Sequence, residues 1–474
     1  YKMVKSNLEL LFFDLATQKN LYEKIYHAMD LSLANPIMKD YLIHLALTFP
    51  KFRIAELEAL ADLYNIDVDL SSHNEDSTFL VVSLENDEQA RQLISRSVMS
   101  FGIYELWGYG ETYDKLHEDV RAKSADKFEK YKDVSFKFDF KNFRGRPSNK
   151  GKVRIIESFS YLPFEGKIDL KNPDEIFTVV EEYKYNDRAK SESPIHIWFT
   201  RQLQLSERSN GLVETYDLKK RNYIGTTSFE AELSLVTCNL AQIAPGKITY
   251  DPFTGTGSFL VAAAHFGGYP IGSDIDVRML NGRGNDKNVK SNFKQYGTSG
   301  NFIDVLTMDF THNALRKDFQ IDSIVCDPPY GVREGLRVLG AKNEEKAAGR
   351  EHDVFDGEIA YLRREFIPPK KPYLLANLLE DLLQFASERL PVGGRLAFWM
   401  PTANDNFEET QIPQHERLEL LHCLEQLFNQ WSRRLLVYVK RDVSYKGITS
   451  NGLKEKNIRD FRVRYFKRFI DKNE

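Results

Sequence analysis

The sequence is constrained most by a series of short, continuously apolar runs that alternate with helical patterns from Ile248 onward. Runs of this kind are typical of strands that are buried on both faces of a parallel sheet. The pattern predicts an α/β fold with a Rossmann-like, doubly wound sheet of seven mostly parallel strands. In open α/β sheets the ligand binds where the strands have their carboxyl ends, so the residues that follow each strand form the candidate site.

The first of these strands ends at Asp251 and leads into a glycine-rich turn and an apolar helix. Glycines let a backbone approach a ligand closely, and a helix N-terminus offers free N–H groups. A P-loop would need Gly-Lys-Ser/Thr, which is absent, and a dinucleotide turn would need glycine where Leu260 stands. The carboxylate would repel a pyrophosphate but can pair with the ammonium of a methionine moiety. A glycine-rich turn without a ligand is the alternative. The cofactor contacts expected here are Asp251, Phe253, Gly255, Thr256 and Gly257.

The next two strands also end in acidic residues. Asp274, with Ile275 beside it, is expected to bind a ribose diol, and Asp276 to cap the following helix. Asp309 could accept from an adenine amine, with Phe310 beside the ring. Each acid alone could be a solvated strand end. Together with the turn, they predict S-adenosylmethionine as the cofactor.

The fourth strand is followed by Asp327-Pro328-Pro329-Tyr330. An amine conjugated to a base ring is a poor nucleophile, because its lone pair is delocalised into the ring. The Asp327 carboxylate and the Pro328 carbonyl can both accept from such an amine, the prolines fix the carbonyl direction, and Tyr330 offers a stacking face. The motif predicts direct methyl transfer to an exocyclic base amine, on a base that has left its stack. The alternative is a Pro-Pro turn that packs an aromatic side chain. The expected catalytic residues are Asp327, Pro328, Pro329 and Tyr330.

The part of the chain before residue 248 has a different pattern. Residues 39 to 108 predict the ferredoxin-like order strand, helix, strand, strand, helix, strand, with Ile66 to Leu70 as the second strand. Phe136, Phe138 and Phe140 then alternate with polar residues, which indicates a half-buried strand. The remaining elements predicted here are strands at Phe177 to Glu181 and Ile195 to Thr200, and a polar loop at Tyr183 to Ser193.

Three strings carry a resemblance to a known family: Asp327 to Glu334, Thr226 to Leu233 and Arg395 to Thr402. With them, residues 38 to 474 closely resemble the catalytic subunits of the eukaryotic tRNA guanine-10 N2-methyltransferases. The resemblance implies transfer from S-adenosylmethionine to a guanine N2 amine in tRNA. It also implies a THUMP RNA-binding module, matched here by Phe136 to Gln202, and a small zinc-binding activator subunit as an obligate partner.

The resemblance also suggests how the chain is divided, because Met38-Lys39-Asp40 resembles the first residues of that family. The expected segments are 1–37, an N-terminal extension that is non-native or dispensable; 38–110, a ferredoxin-like domain; 111–205, the THUMP domain; 206–228, a linker; and 229–474, the methyltransferase domain.

Basic clusters agree with an RNA substrate. The net charge of −4 means that any nucleic-acid surface must be local. Residues 141–154 hold six basic residues and no acid, residues 219–221 are all basic, and residues 431–474 hold 13 Lys/Arg against 5 Asp/Glu. Such patches bind phosphate without reading sequence, although a solvated loop is the alternative. The residues expected to contact RNA are Lys141, Arg144, Arg146, Lys150, Lys152, Arg154, Lys219, Lys220 and Arg221.

The cysteines and the hydropathy exclude other classes of protein. Cys238, Cys326 and Cys423 are far apart, so neither a disulfide framework nor an intrinsic metal site is expected, and the cytoplasm fits as the compartment. No run of 18 apolar residues occurs, so no membrane span is expected.

One strand suggests where a partner binds. In this class of methyltransferase the third strand, here Phe302 to Met308, lies at a sheet edge. It has a single charge and no proline, whereas natural edge strands usually carry more protection against pairing. A strand of a parallel sheet is often apolar for other reasons. We expect the activator subunit to add a strand or an apolar face here.

Two other functions stay open on the residues alone. The tetrapeptide would hold an adenine N6 or a cytosine N4 amine as well as a guanine N2 amine. An inactive RNA-binding subunit could also keep this fold, but the intact Asp251, Asp327 and Tyr330 argue against it.

Overall fold

The computed structural model describes residues 38–184, 193–284, 286–330, 336–341, 345, 349, 352–355, 357–363, 368–405, 407–429 and 431–449. These residues form a six-stranded sheet, a seven-stranded sheet and two short strand pairs. The expected extension, 1–37, and residues 185–192 of the expected polar loop lie outside the described residues.

The six-stranded sheet comes from the N-terminal part of the chain. Its order is β2-β1-β3-β6-β5-β4, and its neighbours are antiparallel except for the parallel pair β4 and β5. The pairing of β3 with β6 makes one continuous sheet of the strands expected in the ferredoxin-like and THUMP regions. The strands are β1 (Lys39–Leu45), β2 (Phe79–Leu84), β3 (Ser100–Gly110), β4 (Phe136–Phe143), β5 (Glu175–Tyr183) and β6 (Pro194–Leu205).

Four helices accompany this sheet: α1 (Arg53–Tyr64), α2 (Asp87–Ser95), α3 (Tyr113–Ser124) and α4 (Asn149–Ser158). The predicted strand Ile66 to Leu70 is wrong. Helix α1 ends at Asn65, which adopts a left-handed conformation, and Ile66 N donates to Ala61 O at 2.8 Å. Ile66 and Leu70 are buried against the helices rather than paired in the sheet, so their apolar character reflects packing alone.

The seven-stranded sheet has the order β16-β17-β15-β10-β7-β8-β9, which confirms the predicted Rossmann-like sheet. Its strands are parallel except for β17, which runs antiparallel to both of its neighbours. The strands of this half are β7 (Ile248–Asp251), β8 (Tyr269–Asp274), β9 (Asp304–Thr307), β10 (Ser323–Cys326), β11 (Arg337–Leu339), β12 (Val354–Phe355), β13 (Glu358–Ile359), β14 (Lys370–Pro372), β15 (Arg395–Ala403), β16 (Leu418–Leu427) and β17 (Trp431–Lys440). The short pairs are β11 with β14 and β12 with β13.

Helices cover both faces of this sheet. Alternate residues of β10 enter different cores: Val325 packs with α6 and α7, whereas Ile324 and Cys326 pack with α10. The helices are α5 (Leu212–Thr215), α6 (Ala231–Leu240), α7 (Ser258–His265), α8 (Val277–Asn281), α9 (Val289–Gln295) and α10 (Leu375–Arg389). Short 3₁₀ turns lie at Pro50–Phe52, Ala125–Tyr131, Leu218–Lys220, Phe310–His312, Ala360–Leu362 and Glu409–Gln411. Among the described helices, none combines the length and apolar character that a membrane crossing requires.

The two large sheets are joined through a buried carboxylate on α1. Glu56 is fully buried and accepts from Asn239 Nδ2 of α6 at 2.7 Å. It also accepts from Ser97 Oγ at 2.7 Å and from the backbone N–H groups of Val98 and Met99. Arg96 extends the network by donating to Asn239 Oδ1 at 2.8 Å. A buried carboxylate whose two oxygens are both hydrogen-bonded favours one arrangement of the surrounding elements, so Glu56 fixes α1 against α6.

Further contacts support the same junction. Arg395 donates to Asp62 Oδ2 at 2.5 Å and to Leu240 O at 2.9 Å. Phe52 stacks on Trp399 with ring centroids 5.9 Å apart. The expected linker also packs on the second half, because Tyr223 hydrogen-bonds to α9 and contributes to its core. The two halves therefore have a shared interior.

Replacing Glu56 with glutamine should destabilise the chain. All the partners of Glu56 are donors, so the new side-chain NH₂ group would face donors instead of acceptors. We expect a loss of about 1–3 kcal/mol in the free energy of unfolding. Thermal unfolding of the full chain measures this, with Glu58→Gln, on the exposed side of the same helix, as the control. Equal effects of the two substitutions would contradict the role of Glu56.

Candidate active site

The carboxyl ends of three adjacent strands bring three acidic residues to one edge of the seven-stranded sheet. Asp251 ends β7, Asp274 ends β8 and Asp327 follows β10. They are close enough that the charges of Asp274 and Asp327 both act on Asp251. The structure therefore brings together the residues that the sequence placed in one site, at the edge where ligands bind in such sheets.

The turn between β7 and α7 is built by two glycines with positive φ. Gly255 has φ of 52° and Gly257 has φ of 83°, in the left-handed region that favours glycine. A Cβ atom at Gly257 would lie 3.0 Å from Val289 Cγ1, whereas at Gly255 the nearest atom would be 4.0 Å away. The turn is thus closely packed on one side and leaves space beside Gly255. Thr256, also expected in the site, is buried and hydrogen-bonds to Ser228.

Asp251 has an unusual environment for a carboxylate. It is 1% exposed, and its Oδ1 accepts from Phe253 N at 2.9 Å. Its Oδ2 is buried and has no hydrogen-bond partner among the described residues. Burial, and then the nearby charges of Asp274 and Asp327, hold the pKa of Asp251 well above its usual range. A cationic ammonium would satisfy this oxygen, so the residues present fit the methionine end of S-adenosylmethionine.

Asp274 supports the turn from the neighbouring strand. Its Oδ2 accepts from Gly255 N at 2.8 Å, and its Oδ1 accepts from Asp276 N at 2.8 Å. Burial raises its pKa, which these two hydrogen bonds counteract. Ile275 is half-buried beside it. Asp276 caps α8 by accepting from Arg278 N, which confirms the predicted cap. A carboxylate has lone pairs to spare beyond two backbone bonds, so the ribose role of Asp274 stays a prediction.

Asp309 has more partners than the sequence suggested. It is 4% exposed, its Oδ1 accepts from Thr311 N at 3.0 Å, and its Oδ2 accepts from Leu339 N of β11 at 2.7 Å. These bonds tie the segment after β10 to the sheet edge, and the adenine role of Asp309 stays a prediction. Phe310 is buried and meets Phe253 edge-on, with ring centroids 5.4 Å apart.

The residues after β10 form a close polar contact. Asp327 is half-buried, and its Oδ1 accepts a hydrogen bond from the Tyr330 hydroxyl. Burial raises the pKa of Asp327 to about 6, while the Arg433 charge and the Tyr330 hydrogen bond lower it. Tyr330, which was expected to stack on a base, here directs its hydroxyl to the carboxylate. Pro328 is buried and Pro329 is exposed, and the rest of the family string, Gly331 to Glu334, lies outside the described residues.

Arg433 is the site residue that sequence reasoning missed. It lies on β17, more than a hundred residues after Asp327, and its charge acts on both Asp327 and Tyr330. No motif surrounds it, and in the sequence it was one of many basic residues after residue 431. Only the pairing of β17 with β15, next to β10, brings it to the site.

The first basic cluster lies around β4 and α4. Helix α4 is capped by Ser148 and has no buried side chain. The cluster is not uniform: Lys141 pairs with Asp139 at 3.1 Å, and Lys152 lies over the Phe140 ring at 5.0 Å. Its other members are exposed, namely Arg144, Arg146, Lys150 and Arg154.

The second basic cluster needs a correction. Lys219 and Lys220 are exposed, but Arg221 is buried and donates to Ser258 Oγ at 2.8 Å. Its guanidinium lies inside the fold and cannot reach a phosphate, so the prediction that Arg221 contacts RNA is wrong. Arg221 instead holds the segment before α6 against the start of α7.

Comparisons with known proteins agree with this geometry. The family model described as Tmrp11 THUMP N-terminal domain matches residues 39–208, and that described as RMKL-like, methyltransferase domain matches residues 219–340. The tRNA (guanine(10)-N(2))-methyltransferase of Saccharomyces cerevisiae is 55% identical over 436 residues, covering 91% of this chain and 100% of that protein. The protein with the same description from Schizosaccharomyces pombe is 35% identical, covering 90% and 96%. The human tRNA (guanine(10)-N(2))-methyltransferase TRMT11 is 32% identical, covering 90% and 95%.

Replacing Asp251 with asparagine should weaken binding of S-adenosylmethionine by at least about tenfold, because the ammonium loses its charged partner. The matched control is Asp276→Asn, which should leave the affinity unchanged because asparagine also caps helices. Calorimetric titration measures both. Equal affinities for the Asp251 variant and the unchanged chain would contradict the assignment.

The expected pairing of Asp251 with the cofactor ammonium predicts that cofactor binding depends on pH. The pKa of Asp251 is raised in the free site, and a bound ammonium would lower it, so binding should release a proton between these two pKa values. Affinity should therefore fall as the pH drops through this window. Titration in two buffers with different ionisation enthalpies detects the proton, and a binding heat that does not depend on the buffer would contradict the prediction.

Proposed function

The chain belongs to the family of tRNA (guanine(10)-N(2))-methyltransferases, and from that membership we propose that it methylates the N2 amine of guanine 10 in tRNA as the catalytic subunit of a heterodimer. The chain is a methyltransferase that uses S-adenosylmethionine. The observation that carries the proposal is the position of Asp327, at the strand end next to the one that bears Asp251. This arrangement can hold an amine beside a bound methyl donor.

The residues around the glycine turn would hold the cofactor, which supplies an electrophilic methyl group on a sulfonium centre. Asp251 would pair with the ammonium through its unpartnered Oδ2. Asp274 would accept from the ribose hydroxyls, with Ile275 beside them. Asp309, Phe310 and Phe253 would surround the adenine. Asp251 and Asp309 are almost completely buried, and burial strengthens the charge interactions that they can make.

Asp327 and Pro328 would act on the nucleophile. The Asp327 carboxylate and the Pro328 carbonyl each accept a hydrogen bond from the amine, which orients its lone pair for in-line displacement. The carboxylate must be ionised to accept at both oxygens, and a pKa of about 6 leaves it mostly ionised at neutral pH. The Tyr330 hydroxyl must leave Asp327 as the amine arrives, and its ring can then stack on the base.

The choice of base rests on the relatives rather than on the motif. An adenine N6 or cytosine N4 amine would fit the same acceptors. The names of the relatives specify guanine and position 10, and the sequence identity extends over both halves of the chain. A base in a stem must be flipped out to reach Asp327, at a cost of a few kcal/mol.

The tRNA would lie along the N-terminal sheet and reach the edge of the second sheet. We propose the exposed basic residues around α4, with Lys219 and Lys220, as phosphate contacts. RNA binding would come from the expected segments 38–110 and 111–205. Segment 206–228 would connect them to segment 229–474, which would carry catalysis. The three cysteines are free thiols, which suits the cytoplasm as the compartment that we propose.

The partner would bind at β9. This strand lies at one end of the sheet order, beyond β8, so one side of it has no neighbour among the described strands. Leu306 is 37% exposed on it, and Ile303 just before it is 45% exposed. We propose that the small zinc-binding activator adds a strand or an apolar face there, because an open apolar edge favours pairing with another chain.

Substitution of Asp327 tests the reaction. Asp327→Asn should lower turnover on tRNA by on the order of a hundredfold or more, because the amide presents a donor to the amine. This substitution should not change the binding of S-adenosylmethionine. Asp251→Asn should instead weaken that binding and leave turnover at saturating cofactor unchanged. Nucleoside mass spectrometry with mapping of the modified nucleotide identifies the product. Methylation of adenine or cytosine, or at another position, would contradict the proposed substrate.

The partner prediction is tested at the edge strand. Leu306→Lys should abolish co-purification of the zinc-binding activator, since a charge on the paired face costs desolvation. The matched control is Val392→Lys, at a residue that is 61% exposed in a loop elsewhere, and it should leave the complex intact. Full activity of the isolated chain, or an unchanged complex with Leu306→Lys, would contradict the prediction.

A further inference from the structure

Arg433 is a buried cation at the edge of the site. It lies on β17 opposite Pro401 of β15 and Gln426 of β16, and its side chain is 15% exposed. Its guanidinium carbon lies 4.3 Å from the centroid of the Phe229 ring and 5.3 Å from that of Trp399. Aromatic faces attract a cation, so these rings fix the plane in which the guanidinium lies.

The polar contacts of Arg433 fix its direction. Its Nε and Nη2 both donate to Gln426 Oε1, at 3.0 and 2.6 Å. The ion pair that it makes in the described part of the chain is with Glu230 at 3.5 Å, and Glu230 is 41% exposed. Gln426 also donates to Glu230 at 2.7 Å, so this carboxylate is shared. A guanidinium has five N–H donors, and the contact with Glu230 is too long and too exposed to neutralise a buried charge fully.

The catalytic motif lies close to Arg433, because β15 alone separates β17 from β10 in the sheet. The charge of Arg433 acts on Tyr330, whose hydroxyl donates to Asp327. We propose that Arg433 is a positioning residue for methyl transfer: from its place beside the catalytic motif, its charge holds the Asp327 carboxylate in the ionised, acceptor-only form that binds the base amine. The inference rests on the proposed function, since it assigns Arg433 a part in that same reaction.

The charges that face Asp327 support this role. Asp251, from the end of β7, is an acidic group whose pKa is raised by burial and by the charges of Asp274 and Asp327. Tyr330 and the neighbouring Cys326 thiol are neutral groups near it. Burial raises the pKa of Asp327 to about 6, and Arg433 is the cation that opposes this rise. Removing that charge should therefore raise the pKa of Asp327 further.

The test is the pH dependence of single-turnover methyl transfer on tRNA by the full chain with its partner. In Arg433→Met the acid limb of the profile should move up by about one pH unit. For a shift of one unit, the ionised fraction at pH 6 falls from one half to about one tenth, a roughly fivefold loss, and at pH 8.5 it hardly changes. Arg433→Gln provides a second neutral variant in case the methionine variant does not fold.

Two controls separate charge from structure. Arg433→Lys keeps the positive charge but loses the two hydrogen bonds from Nε and Nη2 to Gln426. The acid limb of this variant should stay in place, while its rate should fall equally at all pH values. Arg434→Met is the matched control: Arg434 is adjacent on β17 and 14% exposed, but it pairs with Glu425 at 2.6 Å and lies over Phe407. Its profile should coincide with that of the unchanged chain.

Several results would overturn the inference. A uniformly lower rate in both neutral variants, with an unmoved acid limb, would make Arg433 merely structural. A weaker and less salt-dependent binding of tRNA with the same acid limb would make it a phosphate contact. In both cases the effect of Asp327→Asn would still support the proposed function. Absence of methyl transfer by the unchanged chain would instead refute the function itself.

Discussion

Six strands have their carboxyl ends at the same edge of the second sheet, and three of these ends carry a carboxylate close to the others. Asp251, Asp274 and Asp327 lie at this edge because each of them ends, or directly follows, a strand that runs toward it. Burial raises the pKa of each of them, so ionisation of all three is unfavourable while no positive charge lies at this edge. The backbone N–H groups of Phe253 and Gly255 and the Arg433 side chain offset part of this cost. The remaining cost of charging these carboxylates can be offset by a bound cation, and an ammonium group is such a cation.

The same edge depends on elements that are remote in the chain. Arg433 comes from the antiparallel strand β17, and Phe229, which orients it, precedes α6. Helix α6 in turn contacts α1 of the first half through Asn239 and Glu56. A displacement of the N-terminal sheet would therefore be transmitted through α6 toward the rings that hold the guanidinium. The strand ends of the second sheet and the N-terminal half are therefore connected through one continuous interior.

Local patterns predicted the elements that depend on local physics. Helices Arg53–Tyr64 and Asp87–Ser95 confirm the two helices in the element order predicted for residues 39 to 108, and the acids at strand ends follow from strand direction. The prediction of a strand at residues 66–70 is wrong because a sequence does not distinguish apolar residues that pack under a helix from apolar residues of a sheet. Arg221 was misassigned because a sequence does not distinguish a buried arginine from a solvated one. Arg433 was missed because the catalytic motif on which its charge acts lies more than a hundred residues away in the chain.

The pairing of β3 with β6 has a consequence for how a target is chosen. Eight registered residue pairs join β3 to β6, so β1 and β4 belong to one continuous sheet. The buried contact between α1 and α6 then fixes that sheet relative to Asp327. These two junctions together set the separation between β4 and Asp327. Under the proposed function, a tRNA bound near β4 would present for reaction the nucleotide at that separation, without a contact that reads neighbouring bases.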